Sequence, residues 1–485
     1  MAGIKKSLKI NTILYAFKTF MGVIFPMVTF PYASRILGAE GIGKVTFSNS
    51  IVSYFTLVAG LGILSYAIRE GAKYRDSRQE FEKFASEIYT INIMATLISA
   101  FAFCFTIFFF EKLQSYRGIL LILGLAIPLT TVGVEWIFNI YEDYLYITVR
   151  SLLVQILSLV ILFVFVRTPD DIYQYAIFYL FSTVAANIFN LFYARKYCYL
   201  RLCFHKGMIK HLKPIMVIFA SSVASTIYVS TDTTLLGIIH DDATVGYYAA
   251  ASKIYSVLRV SVDAIVSVSF ARLSFYLGNQ MQKEFDGLAK KIVNLAFLVL
   301  GPLTVGVFCM SKEAIHILNG DGFEPAITTL QILCIAMPCS VMASVLTKIA
   351  FLPYKQEKDI LISTIVGAVT NFLLNLYMIP IWKERGAAIT TVIAEVLVLA
   401  IMIYRMNKFY KLREWAKCLL QVCVASMPII GICYITKIYI ASEIGRTVVA
   451  VGASGVTYAL LLLVLRNEIV MEYFTKIKNK TGRQA

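Results

Sequence analysis

The sequence predicts an all-α polytopic membrane protein with 14 transmembrane helices, and three observations predict it. First, fourteen apolar stretches of about 20 residues follow one another, the length that crosses a hydrocarbon core about 30 Å thick. Second, 59% of the 485 residues are hydrophobic and only 15% charged, against about 25% charged in an ordinary soluble protein. Third, threading the stretches as a zigzag puts 30 of the 45 Lys and Arg residues on one side. That asymmetry marks the cytoplasmic face and places both termini there. Continuous runs of this length are helices, because barrel strands are about half as long and alternate in polarity.

The elements follow in order. Stretch 10–34 holds Lys18, Pro26 and Pro31 and lacks the small-residue cleavage pattern of a signal peptide. It runs out at Leu37-Gly38, and 42–67 returns to the basic loop of Arg69, Lys73, Arg75, Arg78 and Lys83. Stretches 86–110 and 117–140 form the next pair. The short turn with Glu142 and Asp143 leads to 147–166, and 172–192 closes the first six. The connection Tyr193–Lys213 is the longest outside the tail, carries six basic residues, and is the natural seam. Beyond it run 214–238, 246–270, 291–310, 326–351, 359–380 and 387–404, then 416–435 and 447–465. The predicted organisation is an N-lobe at 1–194, a linker at 195–213, a C-lobe at 214–409, two further spans within 410–470 and a basic tail at 471–485.

An internal echo supports two lobes. "SRILGAEGIGKVTFSNSI" at 34–51 and "TTLLGIIHDDATVGYYAAASKI" at 233–254 each end a helix at Leu-Gly and open the next near a Gly. Gly38 then corresponds to Gly237 and Gly43 to Gly246. Both copies start on the cytoplasmic side, so the repeat is parallel, with its axis along the membrane normal.

Ionisable groups inside spans are costly and mark cavities or pairs. This chain has Lys18, Glu135, Asp232, Lys253, Arg259, Asp263, Lys348 and Glu395. Lys18 lies about 13 Å along the first span at 1.5 Å per residue. Arg259 and Asp263 stand i,i+4 and can pair, and Asp232 can meet Lys18 or Lys253. The bases suit an anionic ligand; the acids suit a cation or proton. Span seven is rich in hydroxyls, from Ser221 to Thr234, as a helix lining water or holding neighbours would be. Pro26 reads equally as a hinge and as a static kink. The net charge of +16 meets anionic headgroups at the cytoplasmic loops, and no nucleic-acid motif accompanies it. The nine Cys and four His have no metal spacing, and no phosphate-binding loop GxxxxGK[ST] occurs.

The stretch "NTILYAFKTFMGVIFPMVTFPYASRILGAEGIGKVTFSNSIVSYFTLVAGLGI" at 11–63 resembles the start of bacterial polysaccharide repeat-unit flippases. These belong to the multidrug/oligosaccharidyl-lipid/polysaccharide exporter superfamily. The likeness rests on Pro31-Tyr32, Arg35, Leu37-Gly38, Gly41-x-Gly43 and Phe47–Ser50, on the basic loop around Ala67–Asp76, and on Leu318, Gly320, Phe323 and Ala326. The resemblance implies two six-helix lobes in a pseudo-two-fold V around a cavity that opens to either side in turn. It implies a substrate of undecaprenyl-pyrophosphate-linked oligosaccharide, moved to the outer leaflet of a bacterial inner membrane for O-antigen, capsule or related polymers. It implies no enzyme activity and no cofactor beyond an H⁺ or Na⁺ gradient. A polysaccharide polymerase and chain-length machinery are the implied protein partners. Lys18, Lys253 and Arg259 become candidate pyrophosphate ligands. Asp232, Asp263, Glu135 and Glu395 become candidate ion, proton or charge-pair groups. Two alternatives share the superfamily: a peptidoglycan lipid-precursor flippase and a cation-coupled multidrug exporter.

Overall fold

The computed structural model describes residues 8–267, 270–411 and 415–472. They are helical almost throughout, and eleven helical segments among them are long and apolar enough to cross a membrane. Two of the eleven run through a non-helical joint. The chain forms two compact units, Met1–Ala249 and Ala250–Ala485, each described by itself. The expected basic tail lies mostly outside the described residues.

Unit 1 opens with α1 (Leu8–Gly60), whose helical dihedrals break at Gly38, with φ 67° and ψ −177°. Glycine reaches that region at little steric cost, so the predicted Leu-Gly stop is the joint between two helical arms. The helix passes Pro26 and Pro31 without leaving helical dihedrals. Then come α2 (Ile63–Gly71) and α3 (Arg78–Phe109). Ser77 caps α3 by accepting from the Glu80 amide, the Ser-x-x-Glu pattern of a helix start. The predicted fourth span is three pieces, α4 (Arg117–Gly124), α5 (Ala126–Val132) and α6 (Glu135–Ile140). Next are α7 (Tyr144–Phe165), the broken pair α8 (Ile172–Val184) and α9 (Ala186–Ala194), and α10 (Leu212–Ile239). The 195–213 segment lies along α3: the amides of Arg201 and Cys203 donate to Ser86 and Thr90. At its end, buried His211 contacts buried Glu87 at 2.7 Å and the Tyr66 hydroxyl at 2.6 Å. Phe81, Phe84, Trp136, Ile137, Phe138 and Cys198 make the core there.

α11 (Asp242–Ser267) starts in unit 1 and carries the boundary. Its first turn meets the second arm of α1 backbone to backbone. A Cβ on Gly43 would lie 1.7 Å from the Asp242 carbonyl oxygen, and one on Gly246 would lie 2.0 Å from that of Ala39. The contact is reciprocal, since Gly43 to Gly246 and Ala39 to Asp242 are the same step along the chain.

Unit 2 continues with α12 (Phe270–Gly278), α13 (Gln282–Cys309), α14 (Ser311–Asn319) and α15 (Pro325–Leu346), which ends in a π turn at Thr347–Phe351. α16 (Glu357–Met406) breaks at Lys383 and folds back on itself. Gly386 lies so close to Met378 that a Cβ would come within 2.4 Å of its carbonyl oxygen, and Asn371 donates to Thr390. α17 (Ala416–Tyr439) and α18 (Glu443–Val464) pack on α13 through Leu298, Val422, Ile429, Tyr458 and Leu462. A polar clasp ties their ends to α14. Glu313, fully buried, accepts from Arg446 at 2.8 Å and faces Lys437 at 3.5 Å. Burial alone would raise the Glu313 carboxyl, but the Arg446 hydrogen bond and the neighbouring charges hold it below the usual range.

Candidate functional site

Where α5 ends, the backbone cannot continue as a helix. Val134 stands at φ 34° and ψ 35°, in the left-handed region, and Glu135 starts α6. A break in a helix frees backbone groups that something else must satisfy. Asn190, fully buried on α9, donates to the Gly133 carbonyl at 2.6 Å. Its own oxygen accepts from the Tyr146 hydroxyl at 3.1 Å and from the Arg150 guanidinium. Gly133 has no room for a side chain, because a Cβ would lie 2.6 Å from Asn187.

The break presents Glu135 to Lys18 of α1 at 2.9 Å, and both side chains stay about one-third exposed, at 35% and 32%. Lys18 therefore pairs with Glu135, while Asp232 is buried on α10 and accepts from the Tyr248 hydroxyl. Arg150, 8% exposed, keeps its Nε without a hydrogen-bond partner among the described residues. Neither Arg150 nor Asn190 was expected as part of a site; a Gly preceding an acid inside an apolar run was the available signal.

In unit 2 the expected Arg259–Asp263 pair gives way to another. Asp263 contacts the Lys348 ammonium at 2.5 Å and accepts from the Ser344 hydroxyl. Lys348 stands in the π turn, a distortion often found where function requires one. Among the described residues no carboxylate lies within ion-pair distance of Arg259, which is half-buried on α11. Lys253 is half-buried on the same helix, and Glu395 is buried on α16. Each unit thus places one Lys–carboxylate pair at an irregularity of a long helix.

Unit 1 also holds an open cavity of ≈ 620 Å³ between the second arm of α1, α5, α8 and α10. Asn49, Thr56, Tyr179, Thr183, Ser225 and Thr226 are among its lining residues, and no charged side chain is.

Helices of membrane-spanning length and polar groups held at helix breaks define a multi-pass all-α membrane protein. Residues 8–277, more than half of the chain, match the polysaccharide biosynthesis protein family, and the chain belongs to that family. It is 24% identical over 422 residues to the "Putative O-antigen transporter" of Escherichia coli K12, covering 83% of this chain and 98% of that one. Its fold is similar to that of "Lipid II flippase MurJ, inward closed conformation", with a TM-score of 0.77 at 16% identity over 94% of this chain and all of the other. The fold is also similar to that of an inward-facing multidrug resistance MATE family transporter of the MOP superfamily, with a TM-score of 0.62 at 12% identity over 79% of this chain and 94% of the other.

Proposed function

We propose that the protein moves a polyprenyl-pyrophosphate-linked oligosaccharide from the cytoplasmic to the outer leaflet of a bacterial inner membrane by alternating access. The observation that carries this is a base and an acid, Lys18 and Glu135, held half-open in the same unit as an open cavity that has hydroxyls but no charged residue in its lining. A phosphate arriving at Lys18 replaces Glu135 as its partner, and the ion pair re-forms when the ligand leaves. A sugar headgroup cannot cross hydrocarbon unaided, because each unpaired hydroxyl costs several kcal/mol there. The protein needs only to offer a polar path, so no covalent step is involved.

In this reading α1 and α16 each contain two spans, divided at Gly38 and Lys383, and α11 supplies one more, so the eleven segments become fourteen. The reciprocal contact of Gly43 and Gly246 supports treating the two glycines as equivalent positions of an internal repeat. Both termini are cytoplasmic, and H⁺ or Na⁺ drives the cycle through the carboxylates of the two ion pairs. Lys253 and Arg259 are further candidate phosphate ligands. Anionic lipids and a polysaccharide polymerase are the expected neighbours.

The E. coli relative favours a surface-polysaccharide unit as the cargo. The likeness to the lipid II flippase structure favours a peptidoglycan precursor instead, and the two cargoes share the same pyrophosphate–sugar chemistry. Depleting the protein separates them. Loss of surface polymer with build-up of its lipid-linked unit supports the first reading, and lysis with build-up of the cell-wall precursor supports the second. Neither change would overturn both.

A further inference from the structure

The cavity of unit 1 is open and is walled by residues of α1, α5, α8 and α10. Hydroxyls in helices commonly donate to the carbonyl four residues back, and Thr56, Thr130 and Thr183 do so. Four other groups do not. Among the described residues the side chains of Asn49, Ser225 and Thr226 have no protein hydrogen-bond partner, and neither has the Tyr179 hydroxyl. Ser225 is exposed and Asn49, Thr226 and Tyr179 are half-buried, so all four are open to water or a ligand. No acidic or basic residue lines the cavity, which leaves nothing to neutralise a charged ligand. Donors and acceptors are mixed, as alternating sugar hydroxyls require.

We propose that this cavity is a subsite for uncharged sugar rings of the cargo, separate from the Lys18–Glu135 pair that meets its phosphates. The proposal rests on the flippase reading and adds to it the chemistry of the sugars next to the pyrophosphate, which carry no acidic or amino charge. The two parts are suitably placed: Thr130 in the cavity wall and Glu135 in the ion pair stand on one broken span, five residues apart.

The test uses the full chain in lipid nanodiscs and two probes. One is undecaprenyl pyrophosphate; the other is the sugar-bearing carrier lipid extracted from host cells deleted for this gene. The sugar-bearing lipid should bind at least about tenfold more tightly. Asn49→Leu and Thr226→Val should each reduce that advantage roughly fivefold, the worth of a hydrogen bond or two, while the sugar-free lipid binds as before. Thr226→Ser keeps the hydroxyl and should keep the advantage, which separates lost recognition from misfolding. Lys18→Ala should weaken both probes alike. Equal binding of the two probes by the parent protein, or an advantage that survives Asn49→Leu and Thr226→Val, overturns the sugar subsite and leaves the flippase reading intact. Binding of neither probe overturns both. Tetraphenylphosphonium serves as a third probe, and its displacement by Asn49→Leu would assign the cavity to organic cations instead.

Discussion

The contact of Gly43 and Gly246 offers the most direct test of the proposed alternating access. Ordinary van der Waals contact begins at 3.4 Å, and a Cβ on Gly246 would start 2.0 Å from the Ala39 carbonyl oxygen. Gly246→Ala therefore forces the two backbones about 1.4 Å apart, and Gly43→Ala, starting at 1.7 Å from Asp242, about 1.7 Å apart. Neither obstacle can rotate aside, because each is a main-chain carbonyl within a helix. Overpacking of this kind typically costs about 1–3 kcal/mol. If only the outwardly closed state contains the contact, the equilibrium shifts away from that state by roughly 5- to 150-fold. A single cysteine at Ser53, in the cavity wall two turns or more beneath the contact, reports this in a background lacking the nine native cysteines. An impermeant thiol reagent added outside intact cells should label it much faster in Gly246→Ala than in the parent. Gly60→Ala, with nothing within 4 Å of its Cβ, should leave the rate unchanged. The double variant Gly43→Ala/Gly246→Ala should add little to either single one, since both break one contact. Parental labelling in Gly246→Ala at normal abundance would refute the reasoning.

Four further outcomes are expected. Lys18→Ala should cut translocation in reconstituted vesicles at least tenfold with normal membrane insertion, and Lys18→Arg should keep part of it because charge remains; parental transport in Lys18→Ala would remove that residue from the site. Asp263→Ala removes the carboxylate that the Lys348 ammonium contacts and should lower thermal stability in detergent more than Asp263→Ala/Lys348→Met does, because breaking one side of a desolvated pair costs more than removing both. Glu313→Gln should cost about 3 kcal/mol or more by leaving Arg446 uncompensated. The Glu313 carboxyl lies below its ordinary range when folded, so its contribution is present above that range and is lost as pH falls through the folded value; stability should fall on acidification more in the parent than in Glu313→Gln. Cysteines at Arg75 and Lys206 should react only from the cytoplasmic side and those at Asp241 and Asp321 from outside; external labelling at position 206 in intact cells would invert the topology.

The features legible from sequence are those that local chemistry writes. Hydrocarbon thickness writes itself as run length, and the Leu37-Gly38 stop appears as the φ 67° joint it implied. The sequence made Gly43 and Gly246 equivalent positions of a repeat, but their contact was not readable from it. Side-chain partners were not readable in this way. Helix periodicity offers only i,i+3 and i,i+4 neighbours, so it named Arg259 for Asp263 and could not see Lys348 arriving from another helix. The partner of Lys18 lies 117 residues away, and it is aimed by a break at Val134, a valine whose positive φ no side-chain preference foretells. Asn190 was hidden for the same reason, because its role exists only once the Gly133 carbonyl has been freed. The charges in the spans thus showed that polar sites exist, while their wiring depends on where helices fail. Those failures are set by tertiary packing: the left-handed Val134 persists because Asn190 and Asn139 satisfy the backbone around it. It follows that Asn190→Leu, which touches neither Lys18 nor Glu135 in the structure, should disturb their ion pair as much as a change at either partner. Transport that survives Asn190→Leu would show that the break maintains itself without its polar support.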